Sequence, residues 1–125
     1  MKYPEMRQEL IGYLLGLSDL RYQRECWVRG ECPSGIEHDE FDYAVHFFFD
    51  DTELSVNAKS LIGFLLADEN EAVLIQALCQ RIEAIFDKYG TDLSDEEYIN
   101  CPEWDAVIFA AKKACAVISG RSGSV

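Results

Sequence analysis

The stretch from Glu69 to Tyr89 limits the fold more than any other. Ile75, Leu78, Ile82, Ile85 and Tyr89 recur at spacings of three and four, Cys79 and Phe86 widen the stripe, and Gly90 follows. A helical period held over about five turns predicts a helix with one apolar face. A glycine just past the end suits the left-handed backbone that closes helices. Such a helix needs partners to cover its stripe, and the rest of the chain offers further helices.

Pro4 fits the first helical position and Glu5 the positive end of the helix dipole, with Met6, Leu10, Tyr13, Leu14 and Leu17 on one face. Ser18 and Asp19 close this helix and cap a shorter one from Leu20 to Arg29, with Leu20, Gln23, Arg24 and Trp27 on one side. Gly30, Pro33, Ser34 and Gly35 then mark a loop. Residues Asp39 to Phe49 fit two patterns. Phe41, Ala44, Val45 and Phe48 make a helical stripe, whereas Tyr43, Val45, Phe47 and Phe49 alternate as in a strand. Helix is preferred, because no second strand-like run could satisfy an isolated strand's backbone.

Asn57 to Leu66 predicts another short helix behind an Asn cap, with Leu61, Ile62, Phe64, Leu65 and Leu66 nearly encircling it. Ser94-Asp95-Glu96-Glu97 is a capping-box pattern. After Pro102, the residues Trp104, Val107, Ile108, Ala111, Cys115 and Ile118 define a last amphipathic helix. The expectation is an all-α fold: one domain over residues 1–118, a bundle of five to seven helices, with 119–125 as a flexible C-terminal tail.

A chain of 125 residues that is 49% apolar can bury a single core. Polar residues interrupt the N-terminal segment, which lacks the continuous apolar region of a signal peptide, and no run approaches the roughly 18 apolar residues of a membrane span. A soluble cytoplasmic protein is expected. Five cysteines without CxxC spacing argue against a disulfide framework or a zinc ribbon. Cys79 and Cys115 sit at core positions; Cys26 and Cys32 could pair in an oxidising medium, but reduced thiols are expected in cytosol.

The charge is distributed unevenly. Between Gly30 and Ala58 there are eight carboxylates and no Lys or Arg, and from Tyr89 to Ala111 six more, again without a base. These stretches hold 14 of the 23 acidic residues in a chain of net charge −12. Such a field attracts basic partners and repels nucleic acid and anionic lipid. Glu37, Asp39, Glu40, Asp42, Asp50 and Asp51 form one candidate partner-binding patch, and Asp95, Glu96, Glu97 and Asp105 a second.

Catalytic patterns are absent. His38 and His46 stand eight residues apart among acids, which matches no HExxH spacing although two helical turns could bring both to one face. Asp50-Asp51-Thr52-Glu53 and Asp68-Glu69-Asn70-Glu71 lack the register of a calcium loop, and the latter reads as an acidic helix start. There is no GxSxG elbow and no glycine-rich phosphate loop. No enzyme activity, metal or cofactor is therefore expected. Trp27, Phe47 and Phe49 read as core; Tyr98 and Trp104, set among carboxylates, could instead anchor a partner, though Trp104 lies on the last helix's apolar stripe.

The run His38 to Thr52, then Ser60-Leu61-Ile62-Gly63, Glu97-Tyr98-Ile99 and Pro102-Glu103-Trp104, resembles a family of small acidic bacterial proteins of unassigned function, over most of the chain from Lys2 to about Ile118. In size and charge the chain is also similar to immunity proteins of contact-dependent growth inhibition and other polymorphic toxin systems. That likeness implies a protein that binds and blocks a basic cognate toxin domain, for instance a nuclease, and supplies no catalytic residues. Two alternatives stand beside it: an acidic regulatory or housekeeping binding protein without a toxin, and a metal-dependent enzyme or sensor using His38 and His46. Exposed apolar helix faces leave a homodimer open.

Overall fold

A computed structural model describes residues 2–122, and they form an all-α domain without a named strand. Seven α-helical pieces follow in order: α1 (Pro4–Leu17), α2 (Leu20–Tyr22), α3 (Phe41–Val45), α4 (Leu54–Asn57), α5 (Glu69–Tyr89), α6 (Asp95–Ile99) and α7 (Trp104–Ser122). The long helices make the frame, with α7 packed most extensively against α5 and α1. The stripe expected on α5 is the buried one, including Ile75, Leu78, Cys79, Ile82 and Ile85. Gly90 adopts φ +84° at its end and donates its N–H to Phe86 O at 2.8 Å, a conformation open to glycine at no steric cost.

Two of the short helices widen as they proceed. α2 runs on as a π-helix over Gln23–Val28, and α3 as another over His46–Asp51. Arg29 N bonds to Arg24 O, and Thr52 N to Phe47 O, each five residues back. A wider turn lessens the angular step between successive residues, so Cys26 with Trp27, and Phe47 with Phe48, are neighbours that both face the core.

Their aromatic rings meet those of the long helices. Phe41, 3% exposed, is the hub, with ring centroids 5.0 Å from Trp104, 5.4 Å from Tyr98, 5.7 Å from Trp27 and 6.0 Å from Phe86. Edge-on and offset contacts of this kind contribute beyond area burial. Trp104 donates Nε1–H to buried Gln23, whose amide donates in turn to Gly16 O, so this core polar group is satisfied. Trp104 and Tyr98 are thus core residues, not exposed anchors.

Toward the other end of α7, a buried ion pair ties three helices together. Arg7 of α1 donates to Glu71 of α5 through both guanidinium nitrogens (2.8 and 3.0 Å) and to Leu65 O and Ile118 O. Glu71 also accepts from Ala67 N and from Arg121, which reaches Asp68 as well. Burial alone would push the Glu71 carboxyl up, but the donors from Arg7, Ala67 and Arg121 outweigh it and hold the group below its ordinary value.

Three expectations require correction. Residues 57–66 do not form one helix: α4 ends at Asn57, a 3₁₀ turn spans Ala58–Leu61, and a tight turn with Gly63 at φ +91° follows, buried through Leu65 and Leu66. α7 continues past Ile118 to Ser122, so 119–122 are helical rather than tail; 123–125 lie outside the described residues. Cys26 and Cys32 are joined as a disulfide, against the expectation of free thiols, while Cys79 and Cys115 are buried and unpaired. Burial pushes the Cys79 thiol up to about 12.

Candidate functional site

The two acidic stretches meet in space. Asp95, at the start of α6, accepts a hydrogen bond at 3.1 Å from the backbone N–H of Phe41, at the start of α3, across 54 residues of sequence. This contact lies at the aromatic hub, so the core itself brings the stretches together. Burial raises the Asp95 carboxyl above its ordinary value, and repulsion from Glu40, Asp42 and Asp39 adds to the rise. The four carboxylates therefore share one local field.

Each candidate residue has an identifiable setting. Asp39 is half-buried and structural: it accepts from Tyr22 Oη at 2.6 Å and from Trp27 Nε1 at 3.0 Å, pinning the acidic segment onto the α2 region. Burial, followed by the bond to Asp39, raises the Tyr22 hydroxyl. Glu40 meets His38 at 2.9 Å. Asp42 and Asp50, one turn either side of His46, both contact its ring, at 3.2 and 2.6 Å. The Asp50 bond, then Asp42, raises the His46 pKa. Glu97 completes the expected capping box with Ser94, which lowers its own carboxyl. Glu37, Asp51, Glu96 and Asp105 are exposed.

Among the described residues, none of these ten carboxylates forms an ion pair with a lysine or arginine. The bases pair elsewhere, as in Arg7–Glu71, Lys59–Glu69 and Lys88–Glu103. Lys88 and Tyr89 hold the Glu103 carboxyl down at about 2. The patch at Asp39 continues toward Asp51: the Tyr13 hydroxyl is raised by burial and by the charges of Glu9, Asp39 and Asp51. Among the described residues, Glu97 and Asp105 make no hydrogen bond or ion pair with the first stretch, so the junction rests on Asp95 with Glu96.

The histidines do not converge. His38 is held by Glu40 and packs edge-on against Tyr43, whereas His46 is held by Asp42 and Asp50. No three His, Cys, Asp or Glu side chains among the described residues come together as metal ligands.

Two features were not legible in the sequence. Tyr43 and Ile36, 43% and 39% exposed, put apolar surface beside the acids. A recess of about 460 Å³ lined by Arg24, Val28, Arg29, Glu96, Ile99 and Asn100 lies next to one of about 370 Å³ lined by Trp27, Val28, His38, Glu40, Ser94, Asp95 and Glu96. The arginines were visible as residues, but their placement opposite α6 depends on a helix–helix contact that no local pattern reports.

The features describe a small all-α domain with an acidic, groove-bearing face. The chain belongs to the family described as "Domain of unknown function (DUF7945)", whose profile matches residues 1–124. No curated protein and no solved structure matches it.

Proposed function

We propose that this domain is a binding protein that neutralises a basic protein partner through its acidic face, in the manner of an immunity protein acting on a cognate toxin domain. The observation that carries the reading is the junction at Asp95 and Phe41, where the two acidic stretches become neighbours while, among the described residues, none of the ten candidate carboxylates pairs with a lysine or arginine. A nuclease cleft must hold a polyanion and is therefore basic, so clustered carboxylates can occupy it as a substrate mimic. Opposite fields speed association, and charge pairs desolvated at the centre slow release.

The reading includes a cytoplasmic location, supported by the finding that no helix among the described residues is long and apolar enough to cross a membrane. The Cys26–Cys32 disulfide weighs against it, since such bonds persist mainly in oxidising compartments. The metal-enzyme alternative lacks a supporting ligand set among the described residues.

The test is capture of the product of the adjacent reading frame by the tagged protein, with Glu37, Asp51 and Glu96 each changed to Lys in a triple variant. These side chains are exposed, so the fold should survive. The expected result is capture of a basic protein that weakens with salt, and loss of both capture and salt sensitivity in the variant. Unchanged affinity in the variant would show that the acidic face is not the contact surface.

A further inference from the structure

The acidic face has a cationic end. Arg24 and Arg29 are exposed and line the same recess, yet among the described residues neither forms an ion pair, in a chain where 23 acids compete for 11 bases. Their neighbour Arg21 is taken by Glu25. Val28 and Glu96 line both this recess and the adjoining acidic one, so the two run together between the first π-helix and α6. Along that line the surface passes from two guanidiniums, over Val28 and Ile99, to Glu96, Asp95 and Glu40.

The arginine end is also held in place. Arg29 lies within the loop closed by the Cys26–Cys32 disulfide and precedes Gly30, whose φ of +74° turns the chain. A tethered donor loses less freedom on binding than one on a free loop.

We propose that this groove binds a short extended segment of a protein partner carrying a carboxylate and, two residues on, a cation: the carboxylate meets Arg24 and Arg29, and the cation meets Glu40, Asp95 and Glu96. Guanidinium forks match carboxylate geometry, and residues i and i+2 of an extended chain point to the same side. A phosphate or nucleic acid is disfavoured, because Glu96 lines the same recess and the whole molecule is strongly negative. The cation end rests on the reading of the acidic face given above; the arginine end does not. The partner surface is therefore of mixed sign, and the arginines fix the direction in which it lies.

The experiment titrates the full-length ¹⁵N-labelled protein with three capped tripeptides, Glu-Gly-Lys, Gln-Gly-Lys and Glu-Gly-Gln, and with inorganic phosphate, and repeats the series on Arg24→Gln/Arg29→Gln. Glu-Gly-Lys should shift the amides of Val28, Glu96, Ile99 and Asn100 saturably, with each of the other peptides about tenfold weaker, equivalent to about 1.4 kcal/mol. The double variant should keep its native spectrum and bind Glu-Gly-Lys and Gln-Gly-Lys alike. Equal binding of those two to the native protein, competition by phosphate as strong as by Glu-Gly-Lys, or no saturable shift would overturn the inference while leaving the acidic-face reading untouched. Equal binding of Glu-Gly-Gln and Glu-Gly-Lys would overturn it through the acidic end and count against that reading too.

Discussion

Replacing Glu71 with glutamine removes one charge and almost no volume, yet it should be among the costliest single changes in the molecule. Glu71 is fully buried and accepts from Arg7 at 2.8 and 3.0 Å, from Ala67 N at 2.8 Å and from Arg121 at 3.2 Å. The glutamine oxygen can still serve Ala67 and one Arg7 nitrogen, but its NH₂ then opposes the donors of Arg7 and Arg121 on the other side. Arg7, itself buried, is left as a poorly compensated cation. Breaking such a pair from one side costs about 3–5 kcal/mol. With a urea slope of about 2 kcal/mol per molar, the midpoint of equilibrium unfolding at pH 7 should fall by about 2 M. Adding Arg7→Met removes the stranded charge and should restore about 1 kcal/mol or more. A loss below about 1 kcal/mol for Glu71→Gln, or a double variant as costly as the two single changes summed, would refute the argument. The native carboxyl is held below its ordinary value, so its contribution is complete above the unfolded value near 4.5 and is lost as pH falls through the lower folded value.

Asp95 should behave in the opposite sense. Its carboxyl is raised in the folded protein, so it costs stability at neutral pH, and the cost fades as pH falls through the raised value. Asp95→Asn keeps an acceptor for Phe41 N, so the thermal midpoint at pH 7 should rise and part of the gain on acidification should disappear; a fall in midpoint would show that the charge itself stabilises the junction. Phe41→Ala, at the hub of four aromatic contacts, should cost about 3–5 kcal/mol in urea unfolding and diminish the near-ultraviolet circular dichroism of Trp27 and Trp104. Cys32→Ser opens a loop closed at a separation of six residues and should lower stability by about 2 kcal/mol under oxidising conditions, with no further loss on adding a thiol reductant.

Local patterns explain which elements could be read from the sequence. The α5 stripe and the Ser94 capping box each depend on residues within a turn or two of one another, and both are as expected. The ambiguity over 39–49 has a structural source: Phe47 and Phe48 both face the core because the helix widens there, so neither a helical nor an alternating period fits. The apolar run at 61–66 suggested a helix buried all round, but Gly63 turns the chain and the burial comes from a compact turn instead. In the candidate site, the acidity was legible and the junction was not. Phe41 and Asp95 are 54 residues apart, and only the packing of α3 and α6 around the aromatic hub brings them together. The Arg7–Glu71 pair escaped for the same reason, being 64 residues apart.

The two π-helical turns carry a consequence for how this face could vary. Each holds one residue more per turn than an α-helix requires. A single deletion within Gln23–Val28 could restore the regular spiral without breaking the chain's path, because the wide turn spends its extra residue on the same full rotation and later positions would keep nearly the same bearing. Arg29 would then keep its place, so a one-codon loss would alter the groove's border only at the turn itself while sparing the long helices beneath it.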